Sequence, residues 1–207
     1  VARGYGGVPP EQRRAERREK LLTAALELFT SRGYQQSKIT ELCALAGVST
    51  RNFYEEFTGK EQVLLSLHAR INTLAMEHVV SVLEKLADAD PVTRIFQLLG
   101  AFVGSVTSDP RLPRLNYVEA VGVSAELEAQ HQEWVDKWAA FIEAEAEHAA
   151  QGGLAPRRNF RLTSIALVGA ATGLLREWQA HDPPLPADQV AEELRGLMLA
   201  AITRPAR

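Results

Sequence analysis

The chain has 207 residues, of which 46% are hydrophobic and 24% charged, with a net charge of −3 at pH 7. That length allows one or two small domains with a sizeable core, and the mild acidity gives no whole-chain signature of nucleic-acid binding. The single cysteine, Cys43, excludes an intrachain disulfide and fits a reducing compartment.

The predicted elements are helical throughout. Residues 1–10 contain three glycines and Pro9-Pro10 and read as a disordered lead-in. Arg13 to Arg32 carries Leu21, Leu22, Ala25, Leu28 and Phe29 on one face, and Gly33 stops it. Two short amphipathic patterns follow on either side of Gly47. Ser37 is the expected cap of the first, with Ile39, Leu42 and Leu45/Ala46 facing a core. Ser49 is the expected cap of the second, with Phe53 and Phe57 one turn apart and pointing inward. Thr58 and Glu61 form a capping-box pattern for a long helix in which Leu64, Leu67, Ile71, Leu74 and His78 recur at helical spacing. Asp90-Pro91 opens a helix that stops near Asp109-Pro110. A shorter segment runs from Pro113 to Val121. Ser124 caps a long helix ending at Gly152-Gly153, Leu162 to Gln179 is another, and Ala187 to Ile202 is the last.

No segment alternates with period two and no Asn-Gly or Asp-Gly hairpin occurs. The expected fold is all-α with about nine helices. Its organisation is a disordered segment over 1–10, a three-helix helix-turn-helix domain over 11–59 and a larger helical domain over 60–207. No apolar run approaches the ~18 residues of a membrane span and no signal-peptide pattern opens the chain, so a soluble cytoplasmic protein without a membrane partner is expected.

The charge divides unevenly. Residues 1–60 hold ten Lys/Arg and seven Asp/Glu, a net of +3, whereas residues 61–207 hold thirteen and nineteen, a net of −6. The positive charge therefore accompanies the helix-turn-helix pattern, where it can neutralise phosphates. In that pattern Gly47 supplies the positive φ of a tight inter-helix turn. With Phe53 and Phe57 inward, the opposite face presents Arg51, Asn52 and Glu55, with Thr50 and Tyr54 at its edge. Arg can grip guanine O6 and N7, Asn can pair with adenine, and a Thr methyl can touch the thymine methyl. Thr40, near a helix N-terminus, and Lys60 are placed for phosphate.

This block resembles the DNA-binding domain of the TetR family of bacterial transcriptional repressors. The resemblance rests on Gly33-Tyr34, Ser37, Ile39, Leu42-Cys43, Ala46-Gly47-Val48-Ser49, Phe53-Tyr54, Phe57 and Lys60, in register over about 50 residues. It implies operator contacts at Thr40, Thr50, Arg51, Asn52, Tyr54 and Lys60, and the wider DNA-facing set includes Ser37, Lys38 and Ser49. Many members of that family carry a basic residue or His before the last aromatic; Glu55-Glu56 stand there in this chain. Two carboxylates near phosphates would weaken nonspecific binding, while one of them can accept from cytosine N4.

The resemblance further implies a C-terminal domain that binds an effector and dimerises. Leu162, Ile165, Val168/Gly169, Thr172 and Leu175 form one stripe, and Gly169 to Gly173 lack bulk. Val190, Leu194, Leu197/Met198 and Ala201 form another. Two such helices from each of two chains can build a four-helix interface, for which the expected residues are Ile165, Gly169, Thr172, Gly173, Trp178, Val190, Leu194, Leu197, Met198 and Ala201. An apolar effector would sit among the middle helices. Met76, His78, Phe102, Val106, Asn116, Tyr117, Trp134, Trp138 and Thr172 are its expected contacts, although aromatics at helical spacing also serve as plain core.

Catalytic signatures are absent from the sequence. Glu128-x-x-His131 and Glu145-x-x-His148 have di-iron spacing, but in one helix with ~1.5 Å rise per residue they lie roughly 25 Å apart. Both are expected on a solvated face, with no metal and no cofactor. Cys43 is expected to be a small buried residue. The expected function is a homodimeric, ligand-responsive repressor that reads a pseudo-palindromic operator in double-stranded DNA. The alternatives are an all-helical bundle enzyme (an oxidoreductase) and a helical protein-binding adaptor.

Overall fold

The computed structural model describes residues 9–181 and 185–205, so the lead-in expected over 1–10 falls almost wholly outside the described residues. Among those residues the chain forms nine α-helices and no strand. They are α1 (Pro10–Arg32), α2 (Ile39–Ala46), α3 (Thr50–Glu56), α4 (Lys60–Leu83), α5 (Pro91–Thr107), α6 (Arg111–Arg114), α7 (Ala125–Gln151), α8 (Arg161–Ala180) and α9 (Ala187–Thr203). A 3-10 turn over Glu84–Leu86 follows α4, and a π-helical turn over Leu115–Glu119 continues α6. The segment expected as one helix from Pro113 to Val121 is therefore a short α-helix running into a π turn.

Two compact units divide after His68, inside α4, whereas the composition suggested a boundary at 59/60. The difference follows from packing: Val63, Leu64 and Leu67, in the first turns of α4, are buried in the first unit.

The first unit is built around three fully buried rings. Phe29, Phe53 and Phe57 are each at most 1% exposed, and Leu21, Ala25, Leu42 and Leu64 fill the space between them. Burial of each ring contributes about 2 kcal/mol or more. Phe29 meets Tyr34 edge-on at 5.2 Å, and Phe53 stacks at a tilt on Phe57 at 5.9 Å. Gly47, at φ +64° and ψ 32°, closes α2: its N–H donates to Ala44 O and that of Val48 to Cys43 O. This pair of bonds satisfies carbonyls that the helix end leaves open and requires a left-handed residue. Ser49 then accepts from the Asn52 N–H as the α3 cap.

Three local expectations fail here. Lys38, not Ser37, stands at the α2 N-cap, and the Glu41 carboxylate accepts from the Lys38 N–H at 3.2 Å. Ser37 is buried instead, donating to Gly33 O at 2.8 Å. Ahead of α4, Gln62 rather than Glu61 reaches back to accept from the Thr58 N–H at 2.6 Å. Leu45 is 55% exposed, because an eight-residue helix has only one narrow face to bury and Leu42 and Cys43 occupy it.

The second unit contains the rest of α4 and helices α5 to α9. Asp90 accepts from the N–H groups of Val92 and Thr93 to cap α5, and Ser124 accepts from Leu127 N–H to cap α7. Helix α5 runs along α9 and α7 along α8. One core cluster joins Ala75, Val103, Val106, Tyr117, Leu175, Trp178 and Leu194; another joins Ile95, Ala146, Phe160, Leu167, Met198 and Ile202. The stripe expected along α4 drifts. Ile71, Ala75 and Val79 are buried, but Leu74 and His78 are exposed, so His78 is not a core histidine. The i, i+4 step from Ile71 through Ala75 to Val79 is the face that packs.

Candidate DNA-reading face and ligand cavity

Helix α3 turns Phe53 inward, and this fixes what its other side presents. Thr50 and Arg51 are exposed, Asn52 is half-buried, and Tyr54 is 60% exposed with its ring edge-on to Phe53 at 5.3 Å. Arg51 is tethered only loosely, 3.9 Å from Glu55. Thr40, in the first turn of α2, and Lys38 just before it are also exposed. These side chains supply guanidinium, amide, hydroxyl and ammonium donors on short helices joined by the Gly47 turn, the chemistry that reads base edges and phosphates. Ser49 is exposed, but its hydroxyl is engaged by its own helix.

Two expected DNA-facing residues look inward. Ser37 is 4% exposed. Lys60 donates from Nζ to the carbonyl oxygens of Tyr34 at 2.7 Å, Ser37 at 3.0 Å and Gln35 at 3.4 Å, and sits 4.2 Å over the Tyr34 ring. Its three N–H donors are committed to the α1–α2 turn. Burial lowers its pKa below the usual lysine value.

The Glu55-Glu56 pair divides. The Glu56 side chain is 1% exposed and turned toward α1, where Arg17 donates to it at 2.6 and 3.0 Å and Arg14 at 3.0 Å. Arg18 donates to the Glu56 carbonyl and lies 4.2 Å over the Phe57 ring. Burial pushes the Glu56 carboxyl up, but the arginine hydrogen bonds outweigh it and hold the group below the ordinary carboxylate range. Glu56 is therefore part of the scaffold under α3. Glu55 is half-exposed and pairs with Arg17 at 3.3 Å. Cys43 is buried, and desolvation raises its thiol pKa, which leaves it a packing residue.

The second unit holds a cavity that opens to solvent. Six of the expected effector contacts line it: Phe102, Asn116, Tyr117, Trp134, Trp138 and Thr172. Met76, His78 and Val106 do not. His78 is exposed on α4, and Val106 is taken up in the core. Aliphatic side chains make up much of the rest of the wall, Leu98, Leu99, Ile142, Val168 and Ala171 among them. The rings of Trp138 and Phe102 meet edge-on at 5.0 Å.

The wall also holds Asn72, which the sequence did not single out, and His131 and Glu145, which were expected on a solvated face. Asn72 Nδ2 donates to Asn116 Oδ1 at 3.0 Å, and Trp138 Nε1 donates to Asn72 Oδ1 at 3.4 Å. Burial pushes the neighbouring Tyr117 hydroxyl up to about 12, so it stays protonated at neutral pH. Glu145 is 8% exposed and not on a solvated face: Arg94 clasps it through Nε at 3.1 Å and Nη2 at 2.9 Å. The Arg94 guanidinium also donates from Nη1 to Leu86 O. The π turn explains why Asn116 and Tyr117 both reach this region. Its wider rise in residues per turn brings two adjacent side chains to one wall, a pattern invisible to a 3.6-residue periodicity.

The expected interface residues separate into two sets. Trp178, Val190, Leu194 and Met198 are buried in the chain's own core, and Thr172 lines the cavity. Trp178 Nε1 is bound to Leu185 O at 2.6 Å. The α9 stripe thus faces α5 and α8 within the chain, as a stripe of large apolar residues does when a partner helix is already present. The outward set is Leu162 (80% exposed), Ile165, Gly169 and Gly173 on α8 with Leu197 on α9. A Cβ added at Gly169 or Gly173 would meet nothing within 4 Å. A shallow groove lined by Leu162, Ala166, Ala170, Leu197 and Ala201 runs between the two helices.

Residues 21–67 match the sequence pattern of the family described as bacterial regulatory proteins, tetR family. The chain is 27% identical over 188 residues to the HTH-type transcriptional activator FasR of Mycolicibacterium smegmatis, covering 86% of this chain and 80% of that protein. It is also 27% identical over 191 residues to the HTH-type transcriptional regulator EthR of the same organism, covering 90% and 86%. Among solved structures, its fold is similar to that of the transcriptional regulator FadR of Bacillus subtilis in complex with stearoyl-CoA. The TM-score is 0.77 at 17% identity, with 89% of this chain and 98% of that one covered.

Proposed function

Because the chain belongs to the tetR family of bacterial regulatory proteins, we propose that it works as a homodimeric repressor released from its operator by a small, largely apolar ligand. The observation that supports this most directly is the outward face of α3. Thr50, Arg51 and Tyr54 stand exposed there while Phe53 and Phe57 hold the helix from behind. One such face reads one half-site. Two of them, about one DNA turn apart, would read a pseudo-palindrome.

The outward face of α8 and α9 supports the second copy. Leu162, Ile165 and Leu197 supply apolar area, and the glycines allow close approach of a partner helix. The cavity in the second unit supports the ligand. In this reading, ligand binding favours a conformation in which α4 has moved and the half-site spacing no longer fits, and DNA is released by population shift. Helix α4 carries Lys60 at its start and the cavity residues Asn72 and Val79 further along. FadR of B. subtilis was solved with stearoyl-CoA, whose stearoyl chain is of the apolar class that such a wall would accept. The protein acts in the cytoplasm as a regulator and not as a catalyst. No helix among the described residues is long and apolar enough to cross a membrane.

A gel shift with fragments from the neighbouring genome tests the proposal. A specific shift that is lost on adding an apolar ligand supports it, and no specific shift at any salt concentration defeats it. FasR is named an activator, so the sign of regulation needs its own measurement. A promoter-reporter assay in which deletion of the gene lowers expression would replace repression with activation.

A further inference from the structure

We infer that the cavity of the second unit is a slot for one unbranched chain, and that Trp138 sets its width. The occupant is a linear alkyl or acyl chain longer than octyl, taken in preference to a ring or cage of similar hydrophobicity. This rests on the cavity being the ligand site of the proposed regulator, and it adds the ligand's shape and length.

The length follows from α7. His131, Trp134, Trp138, Ile142 and Glu145 recur along one face of that helix, and all of them line the same cavity. At ~1.5 Å rise per residue, the lined face from His131 to Glu145 runs roughly 20 Å. Helix α5 follows the same axis in the opposite direction: Phe102 meets Trp138, and Arg94 meets Glu145. The Glu145 end is closed, because Arg94 clasps the buried carboxylate and is anchored in turn on Leu86 O. At the other end the half-buried Trp134 carries the exposed Lys137 on its ring at 4.3 Å, which places it at the surface. A ligand therefore enters past Trp134 and extends toward Glu145.

The width is set midway. The Trp138 ring meets Phe102 of α5 edge-on at 5.0 Å, and its Nε1 donates to Asn72 Oδ1 of α4 at 3.4 Å. Asn72 is itself fixed by its bond to Asn116. The indole is thus tied to two other walls and stands across the slot. The cavity nevertheless continues on both sides of it, to Val135 in one direction and Ile142 in the other. A methylene chain can pass along the indole with these contacts kept. A fused ring or cage needs Trp138 to swing away from both partners, at the cost of the hydrogen bond to Asn72.

The test uses the full chain and probes that share one hydroxyl: octan-1-ol, decan-1-ol, dodecan-1-ol and cyclododecanol. Cyclododecanol is close to decan-1-ol in its partition between oil and water, so the two differ chiefly in shape. Trp134 and Trp138 lie in the wall, so saturable binding is read as a change in tryptophan fluorescence. Burial of each added methylene stabilises the complex, so affinity should rise about tenfold at each two-carbon step from octan-1-ol to dodecan-1-ol. Decan-1-ol should bind at least tenfold tighter than cyclododecanol. Affinity that stops rising at octan-1-ol, a preference over cyclododecanol of less than tenfold, or binding of none of the four overturns the inference.

Trp138→Ala removes the bar across the slot and leaves Trp134 as the reporter. In a folded variant the preference for decan-1-ol over cyclododecanol should fall at least tenfold. A folded variant that keeps the full preference overturns the role given to Trp138. If the variant does not fold, Trp138→Phe is measured in the same way, and if neither folds the alcohol series decides alone. Failure of the regulator reading would show differently. The protein would bind the long chains with this preference and still give no specific gel shift.

Discussion

Arg17 of α1 holds Glu56 of α3 with two donors, at 2.6 and 3.0 Å, and leaves the Glu56 side chain 1% exposed. This contact converts a residue that would repel phosphate into one that anchors the reading helix from behind. Replacing Glu56 by Gln should cost about 1–2 kcal/mol, since it removes the buried charge that Arg14 and Arg17 share and leaves Arg17 only the half-exposed Glu55 at 3.3 Å. Thermal unfolding of the full chain checks the loss.

The same contact sets an acid limb. Burial opposes ionisation of Glu56, but the arginine bonds win and its folded pKa lies below the ordinary 4.5. A depressed carboxylate stabilises the fold at pH values above 4.5, and this contribution is lost as pH falls from there through the folded pKa. Denaturant unfolding at a series of pH values between 6 and 3 should show a steeper acid loss in the natural chain than in Glu56→Gln. Parallel limbs would remove Glu56 from the account.

Lys60 should behave as a structural residue. Its ammonium ties three carbonyls of the α1–α2 turn, so Lys60→Met should lower the melting temperature as well as DNA affinity. Loss of three charge-assisted bonds at a partly exposed site corresponds to roughly 1–3 kcal/mol. A variant with unchanged stability and weakened DNA binding would return Lys60 to the phosphate contacts.

Arg51 should behave in the opposite way. It is 91% exposed and loosely tethered, so Arg51→Ala should leave stability within about 0.5 kcal/mol of the natural chain. A base contact of this kind is worth about 1–3 kcal/mol of discrimination, and its loss should relax preference at one operator position. Binding to a library of operator variants measures it, and an unchanged preference would count against α3 as the reading helix.

Ile165→Lys, on the outward face of α8, should split the dimer while leaving each chain folded. The residue is 37% exposed, so a single chain can solvate the new ammonium, whereas an interface cannot. Sedimentation at micromolar concentration distinguishes monomer from dimer. A variant that stays dimeric would move the interface elsewhere.

Much of this fold could be read from residue spacing. Gly33 and Gly47 ended helices, Ser49, Asp90 and Ser124 began them, and Phe53 with Phe57 marked the inner face of α3. What escaped the sequence was partnership over long separations. Nothing local tells that Glu56 meets Arg14 and Arg17, 42 and 39 residues away, although three arginines at positions 14, 17 and 18 share one helix face and offered a hint. Glu145 with Arg94, 51 residues apart, is the same case. The α9 stripe was legible as apolar but not as inward, because periodicity shows a face and not what covers it. Asn116 and Tyr117 were found by residue type, while the π turn that sets them together has no sequence period of its own.

The pairing of these arginines has a consequence for ionic strength. Residues 1–60 count ten basic side chains, but Arg14, Arg17 and Arg18 are held on Glu56 and its neighbours, Arg32 on Glu41, and Lys60 on backbone carbonyls. Formal charge therefore overstates how many counterions this surface can displace from a duplex. Each neutralised phosphate contributes about 0.9 to the slope of log affinity against log salt, so the slope should be shallow for so basic a block. Specificity would then depend on base contacts more than on bulk attraction, and would persist at salt concentrations that strip more charge-driven binders from DNA.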